Sequence, residues 1–242
     1  MSEFKFPTEE IELPSKGLLY PKDNPLSSGK VEIKYMTAKE EDILTNQSYI
    51  QKGDVLDKLL ESVIVDKTIN QLDLIVGDKN ALLIATRVLG YGSTYEVSIG
   101  GRMENIDLSL LDNKEFDASL IEEGKNEFNF TLPHSNTPIT FKILTGRDER
   151  KLEQELKGLK KINKNNSPEL STRLKYIITS ANGESERKDI NEFVDNYLLA
   201  RDSRALRDYI KEFQPDVDLN VVLDNGEEAR VPIGLGFFWP DA

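Results

Sequence analysis

Apolar residues recur at spacings of three and four over positions 37–92. They then fall on every second position in short runs between 95 and 143, and return to helical spacing up to 213. A period near 3.6 marks a helix with one buried face, and a period of two marks a strand with one buried face. In the first stretch Thr37-Ala-Lys-Glu40 fits a capping box that opens a helix. Asp54 stands where it can cap a second helix, whose Leu56, Leu59, Leu60, Val63 and Ile64 share a face. Asp78 is placed to cap a third, running through Ala81, Leu82, Ile84, Ala85 and Val88 to Gly90, a suitable left-handed terminator.

Tyr95, Val97 and Ile99 alternate, as do Phe128, Phe130 and Leu132, and then Ile139, Phe141 and Ile143. The last two runs flank Pro133-His-Ser-Asn-Thr-Pro138 and predict an antiparallel hairpin, with His134 exposed in its loop. Four helices are expected next, marked by Leu152, Leu156 and Leu159, by Leu170, Leu174, Ile177 and Ile178, by Ile190, Phe193, Val194 and Tyr197, and by Leu206, Tyr209, Ile210 and Phe213. Ser167-Pro168 reads as a helix start and Asn182-Gly183 as a stop. Residues 219–223 and 228–231 flank Asp224-Asn-Gly226, a strong two-residue turn signal, and predict a closing hairpin. The expected fold is therefore α+β: a helical N-terminal region, antiparallel β hairpins, and a C-terminal helical region with a closing β-hairpin. Its segments are 1–35, 36–145 and 146–242, with a soft boundary near Thr145-Gly146.

The two ends carry a different signal. Pro7, Pro14, Pro21 and Pro25 keep residues 1–35 from forming a helix, so this arm is extended and ends in a short strand at 30–34. It still holds Phe4, Phe6, Ile11, Leu13, Leu18, Leu19 and Tyr20, more apolar anchors than a disordered linker carries. The chain closes with Phe237-Phe-Trp-Pro240. Aromatic and aliphatic surface of this amount needs a cover. Phe4, Phe6, Leu13, Leu18, Leu19, Tyr20, Phe237, Phe238 and Trp239 are accordingly read as partner-binding or structure-closing side chains.

Composition removes most enzyme chemistry. The 242 residues hold no cysteine and one histidine, which excludes disulfides, thiolate nucleophiles, iron–sulfur clusters and cysteine-based zinc sites, and leaves one candidate imidazole for a Ser-His-Asp arrangement. Gly90-Tyr-Gly92 and Gly234-Leu-Gly236 do not follow a strand and open a helix as a dinucleotide fingerprint requires. Asp216-Val-Asp218 lacks the glycine and distal glutamate of a calcium loop. No catalytic residue, cofactor or metal is expected. The start of the chain has neither the basic residues nor the apolar core of a signal peptide, and no apolar run is long enough for a membrane span.

The net charge of −12 argues against nucleic acid and anionic membrane unless the bases are segregated. Residues 147–211 do hold 15 Lys and Arg against 12 Asp and Glu, including Lys157, Lys160, Lys161 and Lys164, and Arg201, Arg204 and Arg207. Acids interrupt these clusters, and Tyr209 and Phe213 fall at core spacing. A solvated face or an acidic protein neighbour fits better than a nucleic acid.

Several segments resemble, in order, the T4-like bacteriophage baseplate protein family. They are Leu13-Pro-Ser-Lys-Gly-Leu-Leu-Tyr-Pro21, Tyr35-Met-Thr-Ala-Lys-Glu-Glu-Asp-Ile-Leu44, residues 53–60 and 73–78, Arg87 with Gly90-Tyr-Gly92, and Pro232-Ile-Gly-Leu-Gly-Phe-Phe-Trp-Pro240. The resemblance implies a virion role in the central hub of a contractile tail, with other baseplate, hub and tail proteins as partners, several copies per baseplate, and assembly in the host cytoplasm. Both a structural subunit and an assembly chaperone absent from the finished particle fit it; a nucleic-acid-binding module is a third alternative. Members of that family often carry Cys-x-x-Cys pairs where this chain has Ser98-Ile-Gly-Gly-Arg102 and Leu223-Asp-Asn-Gly-Glu227, so a zinc ribbon is not expected here.

Overall fold

Prolines and glycines set the path of the first thirty residues. In the computed structural model, which describes residues 7–99, 101–162, 168–223 and 226–238, strand β1 (Thr8–Glu12) pairs antiparallel with β2 (Lys30–Lys34) from Thr8 opposite Lys34 to Glu12 opposite Lys30. The arm is therefore a hairpin strand of its own chain. Its return is a tight corner. Lys16 and Gly17 both take positive φ, and a Cβ on Gly17 would stand 2.6 Å from the Gly29 nitrogen, so only glycine fits there.

Backbone contacts divide the chain into two compact units that cut across the segments 1–35, 36–145 and 146–242. One comprises Met1–Gly17, Lys22–Glu115 and Pro215–Ala242, and the other Leu18–Pro21 and Phe116–Gln214. Local patterning cannot place such boundaries, because the first unit is completed by a segment that comes after the second in sequence.

In the first unit the helical stretch is four helices: α1 (Ala38–Leu44), α2 (Gln47–Lys52), α3 (Val55–Val63) and α4 (Val76–Tyr91). Glu40 reaches back to the Thr37 N–H at 2.9 Å, as the capping box requires. Helix α2 was not expected. Its signals are Asn46, whose carbonyl oxygen accepts from the Ser48 and Tyr49 N–H groups, and Gly53, a left-handed C-cap with φ 79°. Asp54 occupies the N-cap position of α3, but its side chain makes no cap hydrogen bond. Two further expectations are corrected at α4. It starts at Val76, so Asp78 lies within its first turn instead of capping it, and it runs through Gly90 to end at Gly92, which has φ 87°. Strands β3 (Thr94–Ile99) and β4 (Arg102–Asp107) then form a hairpin. The unit closes after residue 215 with β8 (Asn220–Val222) and β9 (Glu228–Arg230), the expected hairpin; Asp224 and Asn225 of its turn lie outside the described residues.

The second unit holds β5 (Phe128–Thr131), β6 (Pro138–Phe141), α5 (Gly146–Ile162), α6 (Glu169–Ile177), β7 (Ile178–Ala181), α7 (Arg187–Asn196) and α8 (Ala200–Phe213). The expected hairpin is present, with Phe128 opposite Phe141. β7 adds antiparallel to β6, although the apolar run through Ile177 and Ile178 predicts the end of a helix there. Asn182-Gly183 consequently makes the turn after a strand, with φ of 51° and 86°. Pro168 is the N-cap of α6, Ser167 lies outside the described residues, and Leu170 is exposed, not core. Phe128 packs against Phe213 with centroids 4.5 Å apart, and Phe130 stacks on Tyr209 at 4.8 Å.

The architecture is α+β, with helices and antiparallel sheets of two or three strands.

Candidate functional site

Helix α4 is the spine on which the resembling segments meet. It is buried on more than one side, through the consecutive Ala81, Leu82, Leu83 and Ile84, and three polar residues, Asp78, Thr86 and Arg87, are buried with them. Each polar group is held by a specific partner, as burial demands. Asp78 sits in the first helical turn, where the helix dipole favours a carboxylate. It accepts from the Ser15 N–H at 2.9 Å and the Ser15 hydroxyl at 2.6 Å, which fastens the arm to the helix. Ser15 Oγ in turn accepts from the Gly17 N–H at 3.1 Å and sets the corner.

Nine residues further along α4 from Asp78, Arg87 is 2 % exposed. Its Nε donates to the Phe237 carbonyl at 3.1 Å, Nη1 to the Gly92 carbonyl at 3.2 Å and Nη2 to the Thr94 carbonyl at 3.4 Å. The guanidinium also lies 5.0 Å from the Tyr91 ring centroid and 5.9 Å from that of Tyr95. Burial pushes its pKa down from the usual arginine value. Three carbonyl dipoles and two ring faces take the place of water around this cation. The planar five-donor fork suits arginine to tying three carbonyls from two backbone segments, 92–94 and Phe237, at once. Phe237 sits edge-on to Tyr95 with centroids at 4.9 Å, and Phe238 edge-on to Phe237 at 5.5 Å.

A third node lies on the segment 35–44. Glu40 is fully buried and accepts from Lys34 Nζ at 2.8 Å, the Ser62 hydroxyl at 2.6 Å, the Thr37 hydroxyl at 2.7 Å and the Thr37 N–H. Burial pushes its carboxyl up, but the hydrogen bonds from Lys34, Ser62 and Thr37 together outweigh that and hold it at about 2. The same segment reaches the end of α4. The Tyr91 hydroxyl donates to Glu41 Oε1 at 3.3 Å, and Gly90 lies against Met36, whose methyl would be 3.2 Å from a Cβ there.

A carboxyl depressed from 4.5 to about 2 stabilises the fold fully above its unfolded value, and that stability is lost as the pH falls from about 5 toward 2. The difference is worth roughly 3 kcal/mol. Thermal melts across this window should therefore fall more steeply for the wild-type chain than for Glu40→Gln, which starts lower and lacks this titration. Parallel pH profiles would show that Glu40 is not charged and paired in the native state.

The side chains read as partner-binding are mostly turned inward. Leu13, Phe237 and Phe238 are buried in the first unit, and Leu19 and Tyr20 in the second; none is more than 4 % exposed. Leu18 is half-buried, and its carbonyl accepts from the Gly124 N–H at 2.7 Å. Phe4, Phe6 and Trp239 lie outside the described residues. The anchors that the structure describes thus close the chain's own cores, because an extended segment beside an amphipathic helix buries its apolar side chains there first. Local pattern does not mark Ser15, Asp78, Arg87 or Glu40 as a set. Glu40 is marked only through the Thr37 capping box, Asp78 and Arg87 only as charges within a largely apolar helix, and nothing local marks Ser15.

The other candidates are dispersed. His134 is exposed in its loop, and its backbone N–H and that of Ser135 donate to the buried Asp202 at 2.8 and 3.0 Å. Among the described residues no group of three His, Cys, Asp or Glu could hold a metal ion, and no helix is long and apolar enough to cross a membrane. On α8, Arg204 pairs with Asp208 at 3.6 Å, while Tyr209 stacks inward on Phe130 and is not displayed beside the bases. Lys164 lies outside the described residues.

No protein-family model matches the chain, and no curated protein or solved structure matches it.

Proposed function

We propose that the chain is a structural subunit of the baseplate hub of a contractile-tailed, T4-like bacteriophage, acting by protein–protein binding in baseplate assembly. The observation that carries this reading is the convergence of the resembling segments. Ser15 from the first segment, Met36 and Glu41 from the second, and Phe237 from the last all engage Asp78, Arg87, Gly90 or Tyr91 on one helix. Chance matches along a sequence have no reason to fall on one connected set of contacts, whereas residues kept for a shared architecture do. The chemistry of that set supports an architectural part: carbonyls, rings and buried charges fix backbone segments, and the Ser15, Thr37 and Ser62 hydroxyls are taken up in holding the Asp78 and Glu40 carboxylates. Other baseplate, hub and tail proteins are the partners of this reading, with several copies per baseplate, in the virion after assembly in the host cytoplasm.

Quantitative mass spectrometry of purified tails tests it. A whole-number copy of the chain per baseplate is expected. A chain present in assembly intermediates and missing from finished particles would overturn the structural reading in favour of an assembly chaperone. Steeply salt-sensitive binding of DNA by the purified chain would overturn both.

A further inference from the structure

The hairpins β3–β4 and β8–β9 of the first unit leave a cleft of about 490 Å³ between β4 and β8, and its walls are strand edges. It is lined by residues 104–107 and 220–223. Successive side chains of a strand point to opposite faces, so a cavity lined by consecutive residues of both strands opens on their edges. β4 pairs with β3 and β8 with β9, and neither has a second strand neighbour among the described residues.

The ladder phase shows which groups face outward. The Leu108 N–H donates to the Ser93 carbonyl at 2.8 Å, and the Val231 and Leu223 N–H groups donate to the Leu219 and Glu227 carbonyls at 2.8 and 2.9 Å. Antiparallel pairs alternate between bonded and non-bonded, so the N–H and C=O groups of Asn105, Asp107, Asn220 and Val222 point away from their own partner strands. One of these, the Asn220 N–H, is taken by the Asp218 carboxylate at 3.0 Å. At one end the two walls are already joined: Asn113 bridges Val217, with Asp218 N–H on the Asp112 carbonyl and Lys114 N–H on the Asp216 carbonyl, both at 2.8 Å. Beyond that bridge the pairing stops. This is a sheet with a strand's place left open.

The lining states what fits. Leu110 is 76 % exposed and Val222 72 %, large apolar side chains left in water at the cleft. Its charged residues are Glu104, Asp107, Asp112 and Asp218, and it contains no Lys or Arg. The surrounding unit contains 26 acidic and 14 basic residues, while the second unit holds 17 of each, so the whole net charge of −12 belongs to the unit with the cleft.

We propose that this cleft binds an extended segment of a partner protein, alternating Lys or Arg with aliphatic residues, by strand addition to β4 or β8. Backbone pairing supplies affinity, Leu110 and Val222 receive the aliphatic side chains, and the four carboxylates select a basic segment. A second copy of this chain would bring its own acidic first unit against the same carboxylates, and like charges on an open edge keep such copies apart. The inference goes beyond the hub reading and stands whether or not that reading holds, since its test uses the purified chain alone.

The probes are a short fluorescent peptide alternating Lys and Val, one alternating Glu and Val, and a copy of the first with proline at two of its Val positions. Saturable binding of the Lys–Val peptide that weakens with added salt is expected. The Leu110→Lys/Val222→Lys variant should melt like wild type, because both side chains are exposed, and bind at least about tenfold more weakly. Absent binding, equal binding of the Glu–Val or proline peptide, or unchanged binding by the variant overturns the proposal. So does a self-association of the free chain that the variant abolishes, which would make a second copy the occupant.

Discussion

Replacing Phe237 and Phe238 together by alanine should remove the cooperative fold of the first unit. Each is essentially fully buried, at 1 % and 0 % exposure. A buried Phe→Ala change costs about 3–5 kcal/mol once the cavity is included. The pair therefore loses up to about 6–10 kcal/mol, less whatever coupling the two contacting rings share, and this is comparable to the whole stability of an ordinary domain. The loss spreads because the Phe237 carbonyl is one of the three that hold Arg87. Hydrogen exchange read by mass spectrometry should show peptides from α4 and β3 losing protection, while peptides from 128–213 keep theirs. A double variant that melts within about 1 kcal/mol of wild type would mean that the tail does not close this core.

Removing the carboxylate of Asp78 should have the next largest effect. It leaves the Ser15 N–H and hydroxyl buried without the acceptor that holds them, and at about 1–3 kcal/mol for each unsatisfied buried donor the loss is about 2–6 kcal/mol. Ser15→Ala alone keeps the backbone bond to Asp78 but loses the hydroxyl's bonds to Asp78 and to the Gly17 N–H, and should cost about 1–3 kcal/mol. Because the two residues act as one contact, the double variant should cost less than the sum of the singles by about 1–3 kcal/mol. Urea unfolding of the four proteins measures that coupling. Additive costs would mean that the contact is not formed in solution.

These two contacts also show what a sequence can disclose. The 128–141 hairpin, the Thr37 capping box and the closing hairpin were legible because each depends on residues close together in the chain. The strand β7 was not, since Ile177 and Ile178 satisfy either period and only pairing with β6 decides between them. The β3–β4 turn was hidden behind a polar β4 in which Ile106 is the buried residue. The role of Arg87 depends on a carbonyl 150 residues away, and that of Asp78 on a serine 63 residues before it. Such pairings have no local period. Composition marks Leu13, Leu19, Tyr20, Phe237 and Phe238 as apolar residues at the ends, but it could not say that their cover lies in the same chain.

The late arrival of Phe237 has a consequence for synthesis. At roughly 5–20 residues per second, the 150 positions from Arg87 to Phe237 take on the order of 8–30 s to translate. During that interval the first unit cannot be completed, because Arg87 lacks the Phe237 carbonyl and its core lacks the Phe237 and Phe238 rings. Residues 116–214 leave the ribosome whole in the meantime, together with the earlier segment 18–21 that their unit requires. The second unit is thus free to fold first, and the nascent chain spends its most aggregation-prone period holding a finished body beside an open one.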